Sequence, residues 1–197
     1  PYIDCLLLHG PSSVDVLKNP AFHEATDQLK KEKKLRFIGA SSHGSRGGRG
    51  ADMEDILMAA IEDGRFDVLL IVYNFIQKEK GERLFAAAKK KNIGVTIMKS
   101  NPVGRYLSTK ERVEKLKAEG KQISERDKRS LERYKGSMDD AKDFLKKNNL
   151  ENPADIKKAA VKFVLNNPDI HSLSLAFRSF DDVEHYLSLS GKKLDPK

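Results

Sequence analysis

Ile3-Asp4-Cys5-Leu6-Leu7-Leu8-His9-Gly10-Pro11 decides how the rest of the chain is read. A nearly continuous apolar run enters a histidine and stops at Gly-Pro, the pattern of a strand buried on both faces of a parallel sheet. Outward from it the same unit repeats. Phe22, Ala25 and Leu29 share one helical face, and Lys30-Lys31-Glu32-Lys33-Lys34 brings the positive charge that suits a helix C-terminus. Residues 35–40 read as a second strand. A helix then opens at Asp52, an N-cap residue, buries Ile56, Leu57, Ala60 and Ile61, and stops at Gly64. Residues 66–72 form a third strand, 82–91 a helix with Leu84, Phe85 and Ala88 inward, and 93–98 a fourth strand.

The period then breaks. Residues 108–147 are rich in Lys, Glu and Arg and read as two or three charged surface helices, with Gly120 and Gly136 as breaks. Asn152-Pro153 starts a better-packed helix, with Ile156, Ala159, Ala160, Phe163 and Val164 as its apolar stripe, ended by Asn167-Pro168. A fifth strand over 172–177 and a last amphipathic turn or two over 181–189 follow.

Five strand–helix units with buried-looking strands indicate a parallel sheet, doubly wound or closed as a (β/α)8 barrel. The strand ends choose between them. They are His9-Gly10-Pro11, Ser41-Ser42-His43, Tyr73-Asn74, Met98-Lys99-Ser100 and Ala176-Phe177-Arg178, so nearly every strand ends in a group able to bind or react. A barrel gathers all such ends round one mouth, whereas a doubly wound sheet uses mainly its switch point and carries a glycine-rich dinucleotide loop that this sequence lacks. The expected fold class is therefore α/β, a (β/α)8 TIM barrel represented by its C-terminal five strand–helix units. Residues 1–197 are expected to form a single partial barrel domain, with 103–150 as a charged helical insertion after the fourth strand.

Composition bounds the function. The 197 residues carry 37 Lys+Arg against 29 Asp+Glu, a net charge of +8. No apolar run approaches the roughly 18 residues that a membrane span needs. One cysteine, Cys5, excludes an intrachain disulfide and a cysteine-based zinc or iron–sulfur site, and it suits a reducing compartment, so the cytoplasm is the expected location. The lysine clusters at 30–34 and 89–91 lack interleaved aromatics, so nucleic acid is not an expected partner despite the basic charge. No residue set suggests a metal site. The chain opens on Pro1 without an initiator methionine or a basic leader, and is expected to begin inside a longer gene product.

Residues 2–11, the stretch from Leu29 to Ser42, Asp67-Val68 through Tyr73-Asn74, and Gly94-Val95 through Met98-Lys99 together resemble the aldo-keto reductases, in order along the chain. The likeness runs through residue 104 and again from about 153 to 187, with the charged segment between as the family's variable loop. The resemblance implies an NAD(P)-dependent oxidoreductase acting on a small carbonyl or alcohol, with NADP or NAD as cofactor. His9 matches the family's histidine, which orients the substrate carbonyl while a tyrosine supplies the proton. That tyrosine, its lysine and an aspartate would lie on strands upstream of Pro1, so the 197-residue chain alone is expected to be inactive.

The resemblance further implies cofactor contacts at Ser41, Ser42, Met98, Lys99, Ser100, Arg178 and Ser179. Ser41 and Ser42 fall where the family has a Ser-Asn pair that holds the nicotinamide carboxamide. Departures are Leu70 in place of a carboxamide-binding glutamine, Met98 in place of a ring-stacking tyrosine, and Tyr186 in place of an adenine-contacting asparagine. The Met98-Lys99 ending is similar to the branch that carries a ferredoxin-like domain, so an iron–sulfur cluster is implied only in a domain downstream of this chain.

Each of these residues also has a plainer reading. His9 after an apolar strand is a packing or capped histidine; Ser41 and Ser42 cap a turn; Arg178 forms a surface salt bridge. Lys99 at a strand end is a Schiff-base candidate or, more plainly, a cofactor phosphate or carboxamide contact. Residues 43–50, with their glycines and two arginines, form an anion cradle or a solvated loop. The competing function is a non-catalytic partial barrel that binds a nucleotide or assembles with a partner, since unpaired edges near Ile3 and Leu173 favour self-association.

Overall fold

Five parallel strands, β1 (Ile3–His9), β2 (Leu35–Ser42), β3 (Val68–Val72), β4 (Gly94–Met98) and β5 (Ser172–Leu173), pair in chain order in one sheet. They come from a computed structural model that describes residues 1–44, 50–177 and 179–191. Helices α1 (Val14–Leu17) and α2 (Pro20–Lys31) join β1 to β2, α3 (Met53–Asp63) joins β2 to β3, and α4 (Glu79–Lys90) joins β3 to β4. Three helices, α5 (Gly104–Ala118), α6 (Glu125–Lys147) and α7 (Pro153–Leu165), separate β4 from β5, and α8 (Phe180–Leu187) follows. Parallel neighbours joined through helices are what the repeated strand–helix pattern predicts. The sheet has two edges among the described residues, at β1 and β5, so these five strands do not by themselves make a closed barrel.

The chain divides into two compact units. One contains Pro1–Tyr73, Gln77–Met98 and Asn167–Leu175; the other contains Asn74–Ile76, Lys99–Asn166 and the described residues from Ala176 onward. The first holds the sheet and α1–α4. Its interior is Ile38, Ala40, Leu69, Ile71, Val95 and Ile97 from the strands, with Ile56, Leu57, Ala60, Leu84, Phe85 and Ala88 from α3 and α4, all buried. Each large side chain removed from water in this way contributes about 1.5–3 kcal/mol. Asp52 caps α3 by accepting from the Glu54 amide at 2.9 Å, and Gly64 ends it at φ +76°, a left-handed conformation that glycine takes at little cost.

Four expectations need correcting here. β1 is not buried on both faces, because it is an edge strand: Ile3 is half-exposed and Leu6, Leu7 and Leu8 are only partly covered. The buried face of α2 is His23 and Thr26 rather than Ala25, which is exposed, since His23 Nε2 donates to the Leu17 carbonyl (2.7 Å) and the ring packs edge-on against Phe66. The fifth strand is two residues long instead of six. Its pairing at Ile97↔Leu173 ends with the Ser174 amide on the Ile97 carbonyl (2.8 Å), because β4 stops at Met98 and Lys99 turns to φ +56°. Gly136 does not break a helix: α6 runs through it, and a Cβ there would meet nothing within 4 Å.

The second unit is helical and has its own core. Phe75, Val103, Ala141, Leu145, Ile156 and Ala160 are buried together, so the charged helices are not merely surface-lying. Phe75 stacks on Phe144 at 4.1 Å between centroids, and Phe163 meets both edge-on, an arrangement aromatic pairs favour. Asn152 caps α7, whose first residue is Pro153, and Ser124 caps α6.

Candidate functional site

Strand register brings the first site residues together. His9 is the last residue of β1 and lies opposite Ser41 in β2. Its Nδ1 is 2.6 Å from Ser41 Oγ, a hydrogen bond that fixes the imidazole against a fully buried serine. Gly10, at φ +63°, then turns the chain off the strand while its amide donates to the Ser41 carbonyl at 2.8 Å. The His43 ring stands edge-on to His9 with centroids 5.0 Å apart. His9 itself is exposed. The result is an accessible imidazole, held through one nitrogen, at the C-terminal edge of a parallel sheet.

Ser42 is buried, and its Oγ accepts from the Gly44 amide at 3.1 Å, so it shapes the turn that leaves β2. Met98, the last residue of β4, is 8% exposed. In the second unit Lys99 is exposed and Ser100 is buried. A left-handed backbone at a non-glycine residue such as Lys99 costs on the order of 1–3 kcal/mol and persists where neighbours hold it. Asn74 does so: its Nδ2 donates to the Lys99 carbonyl at 3.1 Å while its Oδ1 accepts from the Ile76 amide at 3.0 Å. Ser179 caps α8, accepting from the Asp182 amide at 3.2 Å. Arg178 lies outside the described residues, as do residues 45–49 of the proposed anion cradle.

Lys157 of α7 pairs with Asp182 of α8 at 2.5 Å and lies 4.6 Å from the centre of the Tyr186 ring, the position at which the family pattern has asparagine. Two residues of the site were read differently from the sequence: His43 only as the start of a possible anion cradle, and Asn74 only as a strand end. What marks them is geometry: a ring beside His9 and an amide that holds Lys99. Burial pushes the Cys5 thiol up, with the Asp67 carboxylate adding to the effect, so Cys5 is a poor nucleophile near neutral pH. Burial likewise raises the Tyr73 phenol. Among the described residues no group of three or more His, Cys, Asp or Glu side chains is placed to hold a metal ion, and no helix is long and apolar enough to cross a membrane.

The fold matches an established class of structure. An α/β arrangement of parallel strands like this one occurs in the glycerol dehydrogenase of Gluconobacter oxydans, at a TM-score of 0.58 and 20% identity, over 98% of this chain and 55% of that one. It occurs also in an aldo/keto reductase from Klebsiella pneumoniae, solved with NADP and acetate, at a TM-score of 0.57 and 16% identity, again over 98% of this chain and 55% of that one. The chain thus spans about half the length of these two proteins. At such identities the likeness establishes the fold. No protein-family model matches the sequence, and no curated protein matches it significantly.

Proposed function

We propose that this chain is part of an NAD(P)-dependent oxidoreductase of aldo-keto reductase type, in which His9 orients the carbonyl or alcohol oxygen of a small substrate. The observation that carries this reading is the His9–Ser41 hydrogen bond at the C-terminal edge of the sheet, where the sequence resemblance puts the family's histidine. The structural neighbours support the same reading: one is named a glycerol dehydrogenase, and another an aldo/keto reductase in complex with NADP. On this reading the sheet is the C-terminal part of a (β/α)8 barrel, 103–150 is an insertion in it, and the protein works in the cytoplasm. The ferredoxin-bearing branch rests on Met98-Lys99 alone.

The donor set fits a nicotinamide dinucleotide in part. Lys99 presents an exposed ammonium at a strand end, suited to a phosphate or a carboxamide oxygen. Ser41 does not fit in the state described, because its Oγ is engaged by His9 and it is fully buried. When bound, the cofactor would exchange a hydride with the substrate carbon; the protein orients and polarises. Ser41 then acts through His9. In the tautomer in which the serine hydroxyl donates to Nδ1, the ring proton sits on Nε2, which makes no other hydrogen bond among the described residues and would be the nitrogen facing a substrate oxygen. A neutral imidazole with its proton on Nε2 is a donor to a developing alkoxide.

The resemblance puts the proton-donating tyrosine and its lysine and aspartate upstream of β1. The 197-residue chain alone is accordingly expected to bind nicotinamide weakly and not to reduce carbonyls. NADPH oxidation with small aldehydes by the isolated chain, abolished by His9→Ala, would overturn that expectation. In a protein that supplies the upstream strands, His9→Ala is expected to lower carbonyl reduction by about 10²–10⁴-fold without unfolding the sheet. Ser41→Ala should shift the pH profile of that activity, and unchanged activity in both variants would refute the reading. A second function, assembly through the sheet edge, is favoured by Tyr2, Ile3 and Phe37, which are 60%, 51% and 43% exposed. Sedimentation of the isolated chain as a monomer across its concentration range would exclude self-association.

A further inference from the structure

The segment between β4 and β5 contains a cleft that the oxidoreductase reading does not use. α5 and α6 pack against each other, and a cleft of about 320 Å³ opens between them. Arg105 and Arg112 reach it from α5 and Arg126 from the first turn of α6, against a single carboxylate, Asp127. Arg112 is paired with Asp127, whose other oxygen accepts from Ser124 Oγ at 2.9 Å. The guanidinium beside it and the Ser124 hydroxyl hold the Asp127 carboxyl below its ordinary range, so that pair stays ionised and neutral within itself. Arg105 and Arg126 have no salt-bridge partner among the described residues, unlike Arg36, Arg65, Arg83 and Arg112. The lining therefore carries a surplus of two positive charges.

Its other groups are of the same kind. Hydroxyls of Thr109 and Ser130 face each other at 3.4 Å across the two helices. Ser124 opens α6, a helix of 23 residues, and its Oγ accepts from the Asp127 amide at 3.1 Å, so the amides of Glu125 and Arg126 are not taken by the cap. A helix N-terminus attracts anions, and two unpaired guanidinium forks among hydroxyls match the oxygens of a tetrahedral dianion better than a single carboxylate. Every side chain that lines the cleft is charged or carries a hydroxyl.

We infer that the α5–α6 cleft binds the phosphate or diphosphate group of a small phosphorylated ligand, separate from any nicotinamide cofactor, with Arg105 and Arg126 as its charged contacts. This assignment does not rest on the proposed oxidoreductase function.

The test is calorimetric titration of the full chain with inorganic pyrophosphate at low salt. Arg105→Gln and Arg126→Gln should each weaken binding by about tenfold or more, the loss of one charge-assisted hydrogen bond. Lys142→Gln removes the same charge from α6 at a residue outside the cleft and should leave binding unchanged. All three side chains are exposed or half-exposed, and thermal melts establish that the variants fold. No pyrophosphate binding, or equal weakening by all three variants, overturns the proposal. NADPH affinity, read by nicotinamide fluorescence, should be unaffected by Arg126→Gln; a matching loss would assign the cleft to the cofactor and also overturn it. A chain that binds pyrophosphate but no NADPH would leave the cleft assignment standing; the oxidoreductase reading is refuted only by unchanged carbonyl reduction in the His9→Ala and Ser41→Ala variants of a protein that supplies the upstream strands.

Discussion

The two units solve the burial problem differently. In the sheet unit each of the first four strands pairs with one about thirty residues away, as in Ile38 beside Leu6 or Leu69 beside Ala40, and α2 and α3 pack on β2 while α4 packs on β4. In the helical unit the core gathers Phe75, Phe144 and Phe163 from far-separated positions. α6 is 23 residues long, yet only Asp127, Ala141 and Leu145 on it are buried. A long charged helix can therefore contribute to a core through two or three positions, provided other helices share the work. The sheet unit builds its interior from side chains on paired strands and their helices, and the helical unit combines buried aliphatic residues such as Val103, Ile156 and Ala160 with an aromatic cluster.

The largest test of that contrast is Phe75→Ala. Removing a ring stacked on one phenylalanine and edge-on to another should cost about 3 kcal/mol, seen as a lower denaturation midpoint and faster amide exchange in α6 and α7. Equal acceleration in β2–β4 would show that the two units do not differ in local stability and would break the comparison.

Gly39→Ala probes the other unit. A Cβ there would collide with the Leu7 side chain and, less forgivingly, with the Val68 carbonyl across the β2–β3 pair. The expected loss is about 1–3 kcal/mol in urea unfolding, read against exchange in the strands. Sharply non-additive effects in the Phe75→Ala, Gly39→Ala double variant would show that the two cores are energetically coupled.

Asn74→Ala leaves the Lys99 carbonyl and the Ile76 amide without their partner, which should cost about 1–2 kcal/mol. The Ile76 amide should then exchange faster; unchanged protection at that amide would mean that the asparagine is not what holds the Lys99 turn. Helix caps come next: Asp52→Ala in the sheet unit and Ser124→Ala in the helical unit should each cost about 1 kcal/mol. If the Ser124 variant loses more, the helical unit depends on its cap more than the sheet unit does.

The smallest effect is in acid. The Lys80 ammonium, and then the Glu54 amide, hold the Asp52 carboxyl below its usual value. A carboxyl depressed in the folded state contributes stability above its unfolded pKa, about 3.9, and that contribution is lost as pH falls through the folded value. The gap in melting temperature between the native chain and Asp52→Asn should thus be full near pH 6 and close below about pH 4. A gap that persists at pH 2 would show that the cap acts without its charge.

Legibility in the sequence followed the same division. The order of the first four strands, the Asp52 and Asn152 caps, the Gly64 stop and the inward residues of α3 and α4 could all be read, because each depends on spacing within a few residues. The buried face of α2 could not, since His23 turns inward for a carbonyl six residues back in a short helix that carries no periodic signal. The Ser172–Leu173 strand was expected to run longer, because its length is set by where β4 ends rather than by its own residues.

At the site, the sequence placed His9, Ser41, Ser42, Met98 and Lys99 at strand ends, because a parallel strand announces its C-terminus by the change from apolar to polar residues. Only the tertiary structure decided what those residues touch. The register set His9 opposite Ser41 and closed the 2.6 Å bond between them, and among the described residues Leu6, Leu7 and Leu8 of β1 are only partly covered. Local pattern fixes which residues can form an element and which of its faces is apolar. Hydrogen-bond partners, and whether an apolar face is covered, depend on segments distant in the chain, whose arrangement no local pattern records.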